Sequence, residues 1–315
     1  MSILSNDPSQ AASLLQQGQV VAIPTETVYG LAANALSPTA VAKVFEVKDR
    51  PTFDPLIVHI HALSEVEKYA HDIPTLAMLL AETFWPGPLT LLLPKEKNIP
   101  DLVTAGLHTV ALRCPDHPIT LSLLRQLDFP LAAPSANPFG YVSPTTAQHV
   151  QNQLGTKIPF ILDGGPCRVG LESTIVGFEN GKPIIHRLGG VAVEDIERIA
   201  GKATLELNSS SNPQAPGQLS SHYAPRKKMI VGTIGSLIKN HNGGRIGILS
   251  FKTTYASEHS FTLSPVGSLS EAARNIFGML RSLDEAPVDL ILAEYVPEEG
   301  LGRAINDRLK RASQL

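Results

Sequence analysis

Short apolar runs recur along the first two thirds of the chain at residues 20–23, 55–60, 89–93, 110–112, 131–133, 160–162 and 184–185, with helical patterns between them. Runs this short, rich in valine, isoleucine and leucine, predict buried strands, and their alternation with helices predicts one twisted sheet in an α/β domain. Polar signatures stand at the ends of these runs: Thr25-Glu26-Thr27-Val28-Tyr29-Gly30, Lys48-Asp49-Arg50-Pro51, Ala111-Leu112-Arg113, Pro134-Ser135-Ala136-Asn137 and Glu172-Ser173-Thr174-Ile175-Val176. Residues at the mouths of strands converge in space, so these dispersed motifs are expected to line one ligand cleft.

The helix candidates have recognisable starts. Ser37-Pro38 precedes 40–47, and Ser143-Pro144 precedes 145–154, each pairing an N-cap hydroxyl with proline at the first helical position. Residues 208–221 are rich in serine, asparagine, proline and glycine without an apolar period, which reads as a linker. Beyond it, 229–231, 246–249 and 290–292 read as parallel strands, with helices at 270–283 and 304–312. The expected layout is an α/β domain over 1–207, a linker over 208–228 that could serve as a lid, and a small open α/β domain over 229–315.

With 315 residues, 43% of them hydrophobic, the chain is long enough for two buried cores. A formal charge of −3 gives no global field to attract nucleic acid, so stable association with RNA is not implied. Cys114 and Cys167 have neither metal-ligand spacing nor a disulfide framework around them. The N-terminus lacks an export signal, and no stretch approaches the roughly 18 apolar residues that span a bilayer. Cytoplasmic residence without membrane contact is the expectation.

Each motif has an ordinary alternative. The threonines before Gly30 suit a small polar substrate, or simply a strand end closed by a glycine turn. Lys48 and Arg50 complement the negative end of a helix dipole, or hold a polyphosphate with a point charge and a planar fork; both are expected near solvent. His59 in an apolar strand is more often a satisfied core histidine than a ligand contact. Arg113 at a strand end needs a carboxylate partner, from the protein or from a substrate. Ser135 and Ser143, with free N–H groups at a helix start, form an anion site or a helix cap. His222-Tyr223-Ala224-Pro225 reads as a packed anchor that docks two domains, or as part of a lid.

The chain lacks a Walker loop, His-Glu-x-x-His and Gly-x-Gly-x-x-Gly, and carries no Ser-His-Asp signature. Chemistry by a covalent nucleophile or a protein-held metal is therefore not indicated, which leaves positioning and charge stabilisation.

Taken together, residues 24–31, 48–51, 134–137, 173–176 and 222–225 closely resemble, in type and order, the threonylcarbamoyl-AMP synthase family in its long form. The resemblance covers nearly the whole chain. It implies a YrdC-like twisted mixed sheet with helices, followed by a smaller Rossmann-like open α/β domain. It also implies conversion of L-threonine, bicarbonate and ATP to threonylcarbamoyl-AMP and pyrophosphate, with Mg2+ arriving on ATP and the product passing to a tRNA threonylcarbamoyl-transfer complex.

Carried over by matching position, Thr27, His59, Arg113, Ala133 (through its backbone) and Ser173 form the threonine set that the resemblance implies. Arg50, Asp54, Thr109, Ser135, Ser143, Arg187 and Tyr223 form the ATP set, and Lys48 and Arg50 the catalytic pair on the phosphates. Asp54 departs from the long form, where asparagine is frequent. Two other readings stay open from the residues alone: an RNA-binding module without catalysis, disfavoured by the acidic balance, and a carbamoyl-adenylate enzyme with another acceptor.

Overall fold

The computed structural model describes residues 2–207, 213–218, 223–241 and 243–314. Fifteen strands, ten α-helices and one 3-10 helix (Leu63–Lys68) follow one another among these residues. The first part comprises β1 (Ile3–Ser5), α1 (Pro8–Gln16), β2 (Val21–Ile23), β3 (Gly30–Asn34), α2 (Pro38–Lys48), β4 (Ile57–His59), α3 (Thr75–Phe84), β5 (Leu89–Pro94) and α4 (Asp101–Thr104). It continues through β6 (Thr109–Arg113), α5 (Pro118–Leu124), β7 (Leu131–Ala132), α6 (Ala147–Leu154), β8 (Phe160–Leu162), β9 (Thr174–Glu179), β10 (Lys182–Arg187), α7 (Val193–Ala200) and β11 (Thr204–Leu205). The second part holds β12 (Met229–Val231), α8 (Ile234–Asn240), β13 (Ile246–Ser250), β14 (Ser260–Thr262), α9 (Leu269–Glu285), β15 (Leu290–Ala293) and α10 (Gly302–Ala312).

Strands β1 to β11 make one mixed sheet in the order β1-β8-β2-β3-β7-β4-β6-β5-β9-β10-β11. Strands β12 to β15 make a second sheet, ordered β12-β15-β13-β14 and parallel throughout. A large mixed sheet followed by a small open parallel one is the architecture expected from the alternating pattern. A single apolar core runs from Val20 through Leu112 and Ile185 to Phe277 and Leu309, so the two sheets share buried surface.

Register positions the motifs. In β4 and β6, which are parallel, His59 faces Arg113, and β7 brings Leu131 opposite His59 from the other side. The antiparallel pair β9 and β10 sets Ile175 against Arg187, with a register shift between Ile185 and Arg187 that re-aims the arginine.

Local chemistry explains several boundaries. Ser37 caps α2 by accepting from Ala40 N–H at 3.3 Å, and the helix ends where Asp49 turns left-handed at φ 53°. The cap expected at Ser143 is instead made by Thr146, which accepts from His149 N–H at 3.2 Å. Ser143 and Pro144 lie in the irregular chain before the helix, and the Ser143 hydroxyl donates to Glu172 instead. Gly30 is not a turn residue either. It opens β3, and a Cβ there would stand 3.2 Å from the Cβ of Ala133, so the missing side chain allows β3 to pack closely against the segment after β7.

Of the 208–228 linker, residues 213–218 and 223–228 are described; His222 and the rest of the expected lid lie outside the described residues.

Candidate active site

A cavity of about 560 Å3, counting its open mouth, lies over one face of the large sheet. Its floor is Ile57 and His59 of β4, Arg113 of β6 and Ala133 after β7; its walls include Thr25, Thr27, Gly30, Arg50, Ser135, Glu172 and Arg187. Pro216, Gly217 and Tyr223 close it from above. The motifs thus meet where strand ends come together, at Gly30, His59, Arg113, Ala133 and Arg187, and the described part of the linker folds back over them, packing Ala215 on Ile57, Ala111 and Ile175.

The β2–β3 connection is held by its own hydroxyls. Thr25 Oγ1 donates to Val28 O at 2.6 Å, accepts from Thr27 N–H at 3.1 Å, and lies 2.8 Å from Thr27 Oγ1. This fixes the Thr27 hydroxyl 2.9 Å from Arg113 Nη2 as an acceptor. Arg113 finds its carboxylate within the protein: Nη2 donates to Glu26 Oε1 at 2.7 Å, and Nε donates to Gly87 O at 3.3 Å. Nη1 makes no hydrogen bond among the described residues, which leaves one edge of the guanidinium fork for a ligand.

Beside it, His59 is buried with Nδ1 unpartnered among the described residues. Burial first, and the Arg113 charge second, push its pKa down to about 3, so the ring is neutral at ordinary pH. A buried polar atom left without a bond is destabilising until a ligand meets it. Ala133 uses its N–H on Ile57 O at 2.9 Å, so a backbone contact from it to a ligand falls to its carbonyl.

Arg50 and Arg187 supply the other pole. Arg50 donates from Nε to Asp54 O at 3.2 Å and from Nη2 to Pro55 O at 2.9 Å, lies 2.8 Å from Asp54 Oδ2, and has Phe139 against its plane at 5.8 Å. Arg187 donates to Ser173 O at 3.0 Å, Ser173 Oγ at 3.0 Å and Pro216 O at 3.3 Å. No carboxylate lies within ion-pairing distance of Arg187 among the described residues. Burial lowers the pKa of both guanidiniums, the cost of holding cations away from water.

Several expected site residues stand behind the lining. Lys48 is 1% exposed and Arg50 8%, so neither is near solvent as the sequence suggested. The Lys48 ammonium donates to the carbonyls of Ser135 and Asn137, stapling the end of α2 to the 134–137 loop. Burial, then the charge of Arg50, drives its pKa well below the usual range. Asp54 is fully buried behind Arg50, and burial pushes its carboxyl pKa up despite the neighbouring cations. Ser173 bridges Arg187 to Thr90 Oγ1 at 2.7 Å, and Ser143 donates to Glu172 Oε1 at 2.6 Å. Thr109 shares the β6 face of Arg113 but starts the strand opposite Pro94, beyond the cavity.

Two family models match the chain: one described as "Telomere recombination" over residues 13–189, and one described as "Threonylcarbamoyl-AMP synthase, C-terminal domain" over residues 191–314. The chain belongs to the threonylcarbamoyl-AMP synthase family. Threonylcarbamoyl-AMP synthase of Pyrococcus abyssi is 42% identical, covering 96% of this chain and 93% of its own. That of Bacillus subtilis is 42% identical over 98% and 94%. The crystal structure of P. abyssi Sua5 complexed with L-threonine superposes with a TM-score of 0.93 at 40% identity, covering 99% of this chain and 98% of that one. Escherichia coli YciO shares the fold of the first domain, with a TM-score of 0.54 at 22% identity over 60% of this chain.

Three charged groups that the motif reading left unassigned stand at the cavity, Glu172 in its lining and Glu26 and Arg308 behind it. Glu26 and Glu172 were visible inside quoted motifs, yet only the structure shows their partners. Arg308 of α10 had a signal of its own: an arginine on the apolar stripe of Ala304, Ile305, Leu309 and Ala312.

Proposed function

We propose that the cavity makes threonylcarbamoyl-AMP and pyrophosphate from L-threonine, bicarbonate and ATP, for threonylcarbamoyladenosine modification of tRNA. The observation that carries this reading is the pairing of two unequal poles in one buried cavity. At one, Arg113 is already neutralised by Glu26 and keeps a single free edge beside Thr27 and the neutral His59, which suits an amino-acid carboxylate and hydroxyl. At the other, Arg50 and Arg187 hold more positive charge than the protein compensates, which suits a polyphosphate.

In this reading the threonine amine bonds to the carbon of bicarbonate, and water leaves as the carbamate forms. A carbamate oxygen then attacks the α-phosphorus of ATP, and the bond to the β-phosphate oxygen breaks to release pyrophosphate. The side chains hold both partners in line and stabilise charge on the phosphates. Magnesium would arrive on ATP. Glu172, the one carboxylate lining the cavity among the described residues, has both oxygens engaged by Ser143 and Arg308, which fits a metal held by phosphates and water rather than by the protein. Pro216, Gly217 and Tyr223 would have to move for both substrates to enter, a lid role for the linker. The product is taken up by a tRNA threonylcarbamoyl-transfer complex. No helix among the described residues is long and apolar enough to cross a membrane.

Incubation with magnesium, ATP, L-threonine and isotopically labelled bicarbonate tests the proposal. Pyrophosphate release that requires both threonine and bicarbonate, with label in an adenylated product, is expected. Folded protein giving neither would overturn it, and another amino acid outcompeting threonine would reassign the acceptor.

A further inference from the structure

The C-terminal domain stands behind the cavity, where Arg308 contacts two of its lining residues, Glu172 and Tyr223. Arg308 of α10 is fully buried, and it donates from Nε to Glu172 Oε2 at 2.9 Å and from Nη2 to Leu188 O at 2.8 Å. Glu172 and Leu188 directly adjoin Ser173 and Arg187, so the guanidinium clamps both chains that carry the phosphate pole. Its plane also packs 4.7 Å from the ring centre of Tyr223, which stacks in turn on Phe277 of α9 at 5.7 Å. Tyr223 sits at φ 64°, a conformation that a non-glycine residue keeps only when its surroundings hold it there.

Charge gives this contact a function. Glu172 lines the cavity beside Arg187, where an anionic polyphosphate would meet a carboxylate. Unpaired, that carboxylate would repel the nucleotide and offset Arg187. With Arg308 on one oxygen and the Ser143 hydroxyl on the other, its charge is spent within the protein; Arg308 also pairs from Nη1 with Asp307 Oδ2 at 2.7 Å, and Arg311 supplies the second cation for that carboxylate.

We propose that Arg308 is a positioning residue for nucleotide binding: by neutralising Glu172 and backing Tyr223, the C-terminal domain makes the phosphate pole of the cavity usable. This rests on reading the Arg50–Arg187 end as the ATP site. Three variants of the full chain test it by steady-state pyrophosphate release, with thermal unfolding measured alongside. Arg308→Gln leaves Glu172 charged and unpaired; the KM for ATP is expected to rise at least about tenfold while the KM for threonine moves less than about threefold. Arg308→Met combined with Glu172→Gln removes both charges and is expected to recover most of that loss. A folded Arg308→Gln variant with wild-type KM for ATP, or equal losses on both substrates, would overturn the proposal, as would a double variant no better than the single one. If Arg308→Gln does not fold, the neutral double variant decides: a KM for ATP within about threefold of wild type supports the role, and a tenfold rise refutes it. Arg187→Met separates the two readings, since an unchanged KM for ATP in that variant would remove the ATP assignment itself.

Discussion

Replacing Gly189 by alanine drives a methyl group into backbone. An ideal Cβ at 189 lies 2.3 Å from Glu172 O, 2.5 Å from Ser173 C and 2.5 Å from Thr174 N, and no side chain can swing aside to relieve these contacts. Ordinary contact begins near 3.4 Å, so residues 188–190 must retreat from 172–174 by about 1 Å. Overpacking of this kind costs about 1–3 kcal/mol. Losing the Gly190 N–H bond to Glu172 O, now 2.9 Å, adds about 1 kcal/mol. At roughly 2 cal/mol/K of unfolding entropy per residue, a total near 3 kcal/mol lowers Tm by about 4–5 °C for the 315-residue chain unfolding as one unit. The same retreat separates Ser173 from Arg187, and a misplacement near 1 Å lowers kcat/KM by about 10- to 100-fold. Differential scanning calorimetry and pyrophosphate release read the two effects. A Tm within about 1 °C of wild type together with normal turnover would refute the close-approach argument.

Other outcomes follow from the burial of single side chains. Lys48→Ala removes the staple between α2 and the 134–137 loop, so it should lower Tm by several degrees as well as activity; loss of activity at an unchanged Tm would return Lys48 to a purely electrostatic role. Thr27→Val removes the hydroxyl shared by Arg113 and Thr25 and should raise the KM for threonine about tenfold with little change for ATP; equal changes on both would refute this local assignment. His59 stays neutral in the folded chain down to about 3, whereas the unfolded imidazole takes up a proton near pH 6.5. Stability is therefore lost as pH falls from about 6.5 toward 3, by about 2 kcal/mol at pH 5, and His59→Leu should flatten the fall in Tm between pH 7 and 5. Parallel Tm–pH curves for wild type and variant would remove His59 from that account.

The strands that sequence reveals are those whose side chains are buried almost continuously, such as β5 and β8. β3 escaped because Gly30-Leu31-Ala32-Ala33-Asn34 has small side chains that gain their burial from β2 and β7 rather than from a periodic pattern. Ser143-Pro144 has the local chemistry of a helix start, but a carboxylate 29 positions later outcompetes the helix for the hydroxyl. Thr27, His59, Arg113, Ala133, Ser135, Arg50, Arg187 and Tyr223 were legible as residues of one cavity through the motif resemblance. The depth at which Lys48, Asp54, Ser143 and Ser173 sit was not, because burial is decided by what packs above a residue. Arg308 lay furthest from view, since its partner is 136 positions away.

That separation fixes an order of events during synthesis. Glu172, Ser173 and Arg187 leave the ribosome long before the helix that begins at Gly302, so the part of the chain that carries most of the cavity is made with the Glu172 carboxylate unanswered beside Arg187. Only when α10 has been made and docked is that carboxylate answered. If the Arg187 end binds ATP as proposed, a chain interrupted before residue 308 would lack the countercharge to Glu172 there and would bind the nucleotide weakly.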